Sequence, residues 1–294
     1  MLARTLGIDV MTAEVVGALR GAGIEPVLLK GPVLAEWLYE AGESRYYGDA
    51  DLLVDPRRYE DAERVLANLG FVLANTRDDW RRLRHAREWA NAEGGCIDLH
   101  RTLPGVRYLE PNATWRLVRD HRVPWALPGG VTVDTLDEPA RTLVVALHVT
   151  HHASHPGLRA PAVVELARAV ERLPVDLWSR AAGLAGELHA TPDLAHALAA
   201  VPNGPPLAAR LELPRPTSGE VESGGLERVL ATSGVSARLK VLARALVPTP
   251  AHLRWVSPLA RRGRYGLAAA YLVRPAWLLG TVPAAVRAWW RNHE

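Results

Sequence analysis

Cysteine is almost absent from this chain, because Cys96 is the only one among 294 residues. A single cysteine excludes an intramolecular disulfide and any zinc site built from several cysteines. A reducing cytoplasm is therefore the expected compartment. The net charge is also small, at +3 for pH 7 with neutral histidines. This charge balance suits an anionic ligand, but it does not by itself indicate a surface for nucleic acid.

Long apolar runs are lacking as well. The N-terminal segment contains no apolar core followed by a cleavage site, so we expect no signal peptide. The apolar segment over residues 265–290 is interrupted by Arg274, Pro275, Gly280 and Pro283. Its uninterrupted stretches are shorter than the roughly 18 residues that a membrane span requires. We therefore expect no transmembrane segment.

Turn residues and apolar patterns divide the chain into two parts. In the first part, helical segments alternate with short apolar runs that end at glycine or proline, which is typical of a small α/β layer. Its predicted strands lie at residues 26–30, 49–54 and 96–100, and another extended piece begins at residues 71–73. From Asp137 onward the pattern is helical, apart from a loop rich in Pro, Gly and Ser at about 202–225. The sequence therefore predicts an all-α part after the α/β layer.

Three carboxylates stand out in the predicted strands. Asp49 and Asp51 have strand spacing, so their side chains leave the same face of an extended segment, and Asp98 on another strand can complete the set. Mg²⁺ is held in proteins by a few carboxylates together with substrate phosphates. The pattern indicates a metal-dependent enzyme that acts on a nucleoside triphosphate. The alternative is that Asp49 and Asp51 are solvated loop carboxylates and that Asp98 is a hydrogen-bond acceptor in a local turn.

The motifs around these carboxylates resemble a known superfamily. LLKG at residues 28–31, SRYYGDADLLV at 44–54 and IDLH at 97–100 together resemble the polymerase-beta nucleotidyltransferase superfamily. More narrowly, they are similar to its bacterial branch of uncharacterised nucleotidyltransferases. A histidine-rich helix tends to follow in that branch, and the matching residues here are His148, His151 and His152.

The resemblance implies an α+β fold with two domains. A small mixed β-sheet nucleotidyltransferase domain over residues 1–125 would be followed by an all-α helical domain over residues 126–294, which shapes the acceptor pocket. In such enzymes two Mg²⁺ ions, replaceable by Mn²⁺, bridge the paired aspartates and the triphosphate. Carried over residue by residue, Asp49 and Asp51 would be the shared metal ligands. Asp98 would be the third ligand and the catalytic base.

The resemblance also implies the reaction. A nucleoside monophosphate would pass from a triphosphate, ATP among them, to a hydroxyl acceptor with release of pyrophosphate. The acceptor is a small molecule, a peptide or protein, or an RNA, and RNA is less favoured because the net charge is modest. One alternative is a tRNA-modifying, toxin-type nucleotidyltransferase. Another is a catalytically idle module that binds a nucleotide or a partner.

The turn that should contact the phosphates departs from the superfamily pattern. Superfamily members usually have Gly-Ser or Gly-Gly there, whereas Gly31 is followed by Pro32 and precedes Asp49 by 18 positions. Lys30 and Arg45, together with Gly31, are the candidate nucleotide-binding residues, the lysine as a point charge and the arginine as a bidentate fork. Each residue also has a competing interpretation. Lys30 could be a solvated strand end, Arg45 could form a salt bridge to Asp49 or Asp51, and Gly31 could serve turn geometry alone.

Four histidines are candidates for lining the site. His100 lies two residues after Asp98 and shares its strand face. The remaining three lie on the histidine-rich helix and are His148, His151 and His152. Helical histidine patches also serve as packing or polar lining, and no carboxylate or cysteine at a suitable spacing supports a zinc site on this helix.

Overall fold

The computed structural model of the protein describes most of its first 215 residues and a discontinuous set after them. The described residues are 2–40, 42–74, 85–106, 109, 111–127, 130–151, 156–215, 239, 242–243, 246–248, 250, 253, 257, 259–260 and 262–291.

Seven strands within the described residues form one mixed sheet in the order β3-β4-β5-β2-β1-β7-β6. They are β1 (Val27–Leu28), β2 (Ala50–Leu53), β3 (Val72–Leu73), β4 (Ala86–Ala90), β5 (Cys96–His100), β6 (Arg122–Ala126) and β7 (Thr132–Leu136). The pairs β1–β7 and β2–β5 are parallel, and the remaining pairs are antiparallel. The predicted α+β fold with a mixed sheet is confirmed.

Helices make up most of the rest of the described chain. They are α1 (Leu2–Gly21), α2 (Pro32–Leu38), α3 (Tyr59–Asn68), α4 (Pro111–Asp120), α5 (Glu138–His151), α6 (Pro156–Arg172), α7 (Val175–Glu187), α8 (Thr191–Ala199), α9 (Gly204–Arg210) and α10 (Gly263–Arg291). A short 3₁₀ turn at Pro56–Arg58 leads into α3.

Alternation along β2 sends its side chains to two different layers. Ala50 and Leu52 join a buried cluster with residues of α1 and α3, such as Leu19 and Leu66. Leu53 joins a second cluster that contains most of the apolar face of α5. Because side chains alternate across a strand, Asp51 lies on the same face as Leu53. The charged residue of β2 therefore faces the layer of α5.

The same alternation holds in β5. Ile97 and Leu99 belong to the cluster under α1 and α3 and are fully buried. Asp98 and His100 consequently lie on the opposite face, the one that α5 covers. Helix α5 itself packs against α6, α7 and α8. In β2 and β5, two adjacent inner strands, one face of the sheet is thus apolar and the other carries polar groups.

The turn after β1 depends on glycine. Gly31 has φ 71° and ψ −127°, a conformation that side chains with a Cβ rarely adopt, and it is the N-cap of α2. Pro32 occupies the first position of that helix, where its missing N–H costs nothing. The long interval between Gly31 and Asp49 is therefore filled by a short helix and a loop.

Three strands that lacked a strong local signal were not predicted. β4 overlaps a charged stretch, and β6 and β7 lie between the predicted strands and the helical part. β6 contains Pro124, which an edge strand tolerates because its outer N–H groups need no partner in the sheet. Since β7 ends at Leu136, the sheet extends beyond residue 125, and the predicted domain boundary at that point stays a prediction.

The prediction of a loop over residues 202–225 is wrong for its first part. Helix α9 occupies Gly204–Arg210, because Pro205 and Pro206 fall in its first turn, where backbone N–H groups have no helical partner anyway. The last ten residues of that predicted loop lie outside the described residues. The sequence pattern also predicts a helix over residues 226–247, most of which lie outside the described residues.

The chain separates into two compact units, residues 1–215 and 216–294. The described part of the second unit contains α10 and a small buried cluster of Leu253, Ala260 and Ala270. Among the described residues, no helix combines the length and the apolar character that crossing a membrane requires.

Candidate functional site

Two aspartates meet on neighbouring strands of the polar sheet face. β2 and β5 are parallel, and Asp51 is the register partner of Asp98. Register partners of a parallel pair point to the same face, so the two carboxyl groups lie side by side. His100 follows two residues later on β5, and one ligand atom from each of these three residues lies within 4.8 Å of the others. Within the described chain these residues form a cluster that can hold a metal ion.

Asp49, the remaining carboxylate of the predicted set, lies at the edge of this cluster. Asp49 immediately precedes β2, and its carboxyl group is not among the ligand atoms that converge within 4.8 Å. Its pKa is raised by burial and then by the charge of Asp51, which shows that the two carboxylates repel each other. The predicted three-aspartate set therefore stays a prediction, with Asp51 and Asp98 brought together and Asp49 beside them.

Asp51 is surrounded by cationic and hydrogen-bonding groups. The ammonium Nζ of Lys30 lies 3.0 Å from its Oδ1, and Nε2 of His100 lies 3.0 Å from the same oxygen. Burial alone would raise the pKa of Asp51, but Lys30 and the His100 hydrogen bond outweigh it and hold that pKa well below its usual range. Asp51 is thus ionised throughout the neutral range despite being only 5% exposed.

Asp98 has the opposite setting. Burial, followed by the negative charge of Asp51, raises the pKa of Asp98 to about 6. The pKa of the nearby Cys96 thiol is likewise raised to about 12, by burial and then by the charges of Asp98 and Glu88. Negative charge therefore accumulates along this side of the cluster, which is the condition that a bound cation relieves.

Lys30 connects the strand layer to helix α5. It lies two residues after the end of β1, and its Nζ lies 3.3 Å from Nε2 of His148 in α5. Lys30 is 7% exposed, so the alternative of a solvated strand end does not describe it. Its ammonium group is held between Asp51 and His148.

Arg45 is tied to the turn and to helix α6. Its Nη1 donates a hydrogen bond to the carbonyl oxygen of Gly31 at 3.2 Å, and its Nε donates to Oε1 of Glu165 at 2.6 Å. The salt bridge of Arg45 is thus made with Glu165 and not with the strand aspartates. Burial and the charge of Asp51 raise the pKa of Asp49 beside the cluster, and the charge of Arg45 partly offsets that rise.

The predicted histidines have different fates. His100 is 2% exposed in β5, and its ring centroid lies 5.3 Å from that of His85. His148 is partly buried in α5 and contacts Lys30. The side chain of His151 and the whole of His152 lie outside the described part of the chain. Their predicted place at the site stays a prediction.

Sequence reasoning missed several residues that support the site. Glu165 is 120 positions from Arg45, and no local pattern relates the two. Tyr47 donates a hydrogen bond to Oδ1 of Asp9 in α1 at 2.6 Å, which ties the loop before β2 to that helix. Glu88 is the register partner of Asp98 on β4, so recognition of that strand would have found it.

Comparison with protein families assigns this arrangement. Residues 2–202 match the model of the family described as "Uncharacterised nucleotidyltransferase", which is more than half of the chain. The chain belongs to this family. The resemblance inferred from the motifs is thereby confirmed, and the protein is an enzyme of the nucleotidyltransferase type. No curated protein sequence matches the chain.

The uncharacterised nucleotidyltransferase match covers all seven strands and helices α1 to α8. It therefore contains the whole candidate cluster. Two carboxylates and one imidazole are a donor set that suits a divalent cation, and the ammonium of Lys30 beside Asp51 shows that this carboxylate attracts positive charge. The site of this nucleotidyltransferase fits a divalent metal.

Proposed function

We propose that this protein transfers a nucleoside monophosphate from a nucleoside triphosphate to a hydroxyl acceptor. The observation that carries the proposal is the register pair Asp51–Asp98, whose ligand atoms converge with that of His100 within 4.8 Å. The acceptor oxygen forms a bond to the α-phosphorus, the bond from that phosphorus to the bridging oxygen of the β-phosphate breaks, and pyrophosphate leaves.

Mg²⁺ is the metal that we propose for the site, held by Asp51 and Asp98, with Asp49 and His100 beside them. Two ions are expected, and Mn²⁺ is a substitute. When bound, such a pair stabilises charge on the attacking and leaving oxygens. The donor set of this chain supports the assignment, because Mg²⁺ prefers carboxylate oxygens.

The protein groups divide the remaining work. Asp98 takes the proton of the acceptor hydroxyl as a general base. Lys30 and Arg45 bind the triphosphate as a point charge and a planar fork. These two roles are supported by position, since Lys30 contacts Asp51 and Arg45 donates a hydrogen bond to the carbonyl oxygen of Gly31.

The test measures transfer of label from the α-phosphate. The full chain is incubated with Mg²⁺, each of four α-labelled triphosphates and a panel of acceptors that includes small molecules, peptides and tRNA. We expect label on an acceptor with the wild type and at least a roughly 100-fold loss in Asp98→Asn and Asp51→Asn. Asp120→Asn, which changes a carboxylate that is 74% exposed, serves as the matched control and keeps full activity.

Each other outcome rejects or narrows a specific part of the proposal. Equal activity in the two site variants would remove the carboxylate cluster from the reaction. Transfer of a γ-label would identify a kinase. A triphosphate that is bound but never cleaved between the α- and β-phosphates would identify an idle binding module. Label on tRNA alone, with binding that weakens steeply as salt rises, would identify the RNA-directed alternative.

A further inference from the structure

The ion pair of Arg45 and Glu165 is buried. The two side chains are 10% and 8% exposed, and their nitrogen and oxygen lie 2.6 Å apart. A buried ion pair contributes little net stability, because desolvation of both charges offsets their attraction. This pair therefore calls for a role other than stabilising the fold.

Two hydrogen bonds fix the plane of the Arg45 guanidinium group. Nε donates to Glu165, and Nη1 donates to the carbonyl oxygen of Gly31 at 3.2 Å. Among the described residues, these bonds engage two of the five N–H donors that a guanidinium group carries. A planar fork held in this way keeps donors for a phosphate and loses little entropy when it binds one.

The backbone that carries Arg45 is also fixed. The Arg45 guanidinium lies 5.6 Å from the ring centroid of Tyr47, and the hydroxyl of Tyr47 donates to Asp9 at 2.6 Å. Asp9 belongs to α1 and is 4% exposed, so this anchor lies within the core layer. Glu165 therefore acts on a side chain that also contacts Tyr47, a loop residue that is hydrogen-bonded to α1.

Helix α6 also makes two more exposed ties to the same loop. Arg168 pairs with Glu43, and Arg172 donates to Oε1 of Glu40 at 2.9 Å. Glu165, Arg168 and Arg172 are spaced along one helical face. The two arginine side chains are 25% and 33% exposed, whereas Glu165 is buried and is paired with a candidate phosphate-binding group. This contrast separates Glu165 from the ties that only fasten the loop.

We propose that Glu165 is a positioning residue, which holds the Arg45 guanidinium in the orientation that binds the phosphates of the nucleoside triphosphate. The inference rests on the proposed function in one respect, namely that the ligand of Arg45 is a triphosphate. It assigns to helix α6 a part in donor binding, although α6 contributes none of the three metal-ligand candidates.

The test compares binding of a triphosphate and of a nucleoside by isothermal titration calorimetry on the full chain. The probes are the α,β-methylene analogues of the four nucleoside triphosphates with Mg²⁺, and the nucleoside of the analogue that binds most tightly. We expect Glu165→Gln to raise the Kd of the analogue about tenfold or more, and to leave the Kd of the nucleoside unchanged. In an Arg45→Gln background, Glu165→Gln should have no further effect, because its action passes through Arg45.

Arg168→Gln is the matched control, because it cuts a neighbouring tie between the same helix and the same loop. It should leave the Kd of the analogue within about twofold of the wild type. Equal losses in Glu165→Gln and Arg168→Gln would overturn the inference, and so would additive effects of the Glu165 and Arg45 variants. If the wild type binds analogues but Glu165→Gln binds them equally well, the inference fails and the proposed function stands.

Two further results complete the design. If the wild type binds no analogue at all, the proposed function fails and the inference falls with it. If Glu165→Gln does not fold, Glu165→Asp replaces it, since aspartate keeps the charge but its shorter side chain withdraws the carboxylate from Nε of Arg45. The inference then requires a loss of about tenfold in analogue affinity, and unchanged affinity would overturn it.

Discussion

Asp51 and Asp98 are register partners on neighbouring strands, yet their surroundings act on their charges in opposite directions. Lys30 and His100 hold the pKa of Asp51 well below its usual range, whereas burial and the charge of Asp51 raise the pKa of Asp98 to about 6. Paired titratable groups with divergent pKa values are characteristic of functional sites. At the scale of residues, the site is thus destabilised by the negative charge that it collects.

This setting predicts that Asp98→Asn stabilises the metal-free protein. Because the folded pKa of about 6 lies above the 3.8 of an ordinary carboxyl, the native state binds more protons, and stability falls as the pH rises from 3.8 through 6. The loss of unfolding free energy caused by ionised Asp98 is nearly absent below pH 4 and reaches at most about 3 kcal/mol above pH 7. Urea unfolding with chelator at pH 5 and pH 8 should show the larger gain of the variant at pH 8.

Controls for this experiment are available in the chain. Asp120→Asn, on the surface of α4, should change stability by no more than about 0.5 kcal/mol at either pH. Adding Mg²⁺ should raise the melting temperature of the wild type and have little effect on Asp98→Asn, because only the wild type keeps both carboxylates of the cluster. A variant that is less stable than the wild type at pH 8 would contradict the prediction.

Helix α5 is the element that joins the strand layer to the helical layer. It carries His148 toward Lys30, and its other faces pack against α6, α7 and α8. Its start is marked by Asp137, whose Oδ1 accepts a hydrogen bond from the backbone N–H of Ala140 at 3.0 Å. The sequence pattern predicted that the helical part starts at Asp137, and an aspartate before a helix satisfies an otherwise unpaired N–H.

The cap leads to a prediction about the stability of this element. Asp137→Ala should lower the free energy of unfolding by about 1 kcal/mol, within a range of about 0.5–2 kcal/mol, because the N–H of Ala140 loses its acceptor. Asp137→Asn keeps a side-chain acceptor and should lose appreciably less. Chemical denaturation of both variants measures the difference, and equal losses in the two would show that the charge beside His121, and not the cap, is what matters.

At the scale of the whole molecule, apolar burial explains why residues 1–215 form one unit. A single buried cluster contains residues from β1 and β2, from α5 and from α6 to α9. The strand layer and these helices therefore share a core. The predicted division into domains 1–125 and 126–294 remains a prediction. Because the core is continuous across residue 125, a fragment that ends at a different residue should be tested.

We predict that a fragment of residues 1–215 folds by itself and keeps the candidate site. Its thermal unfolding, followed by circular dichroism, should be cooperative, and its midpoint should rise with Mg²⁺ as in the full chain. A fragment of residues 1–151 is the matched control. It lacks α6 to α9, leaves the apolar face of α5 uncovered, and should fail to fold cooperatively. A fragment 1–215 without a cooperative transition would contradict the prediction.

Much of the fold was readable from local patterns. The strand at 96–100 and the helix that starts at Asp137 have apolar patterns together with clear turn or cap residues, and the structure has them within a residue or two. β4, β6 and β7 were missed because these strands contain charged residues, have only a short apolar–polar alternation or are interrupted by proline. Such strands are stabilised mainly by their neighbours in the sheet.

The sequence by itself determined the face on which the carboxylates lie, because side-chain alternation along a strand is a local property. It also determined the family, through motifs that are short and contiguous. Tertiary structure alone decided that β2 and β5 are adjacent and in register, which joins Asp51 with Asp98 and His100 and leaves Asp49 at the edge. It likewise decided that Glu165 meets Arg45, since contacts between distant segments depend on the packing of whole elements and leave no periodic trace in the chain.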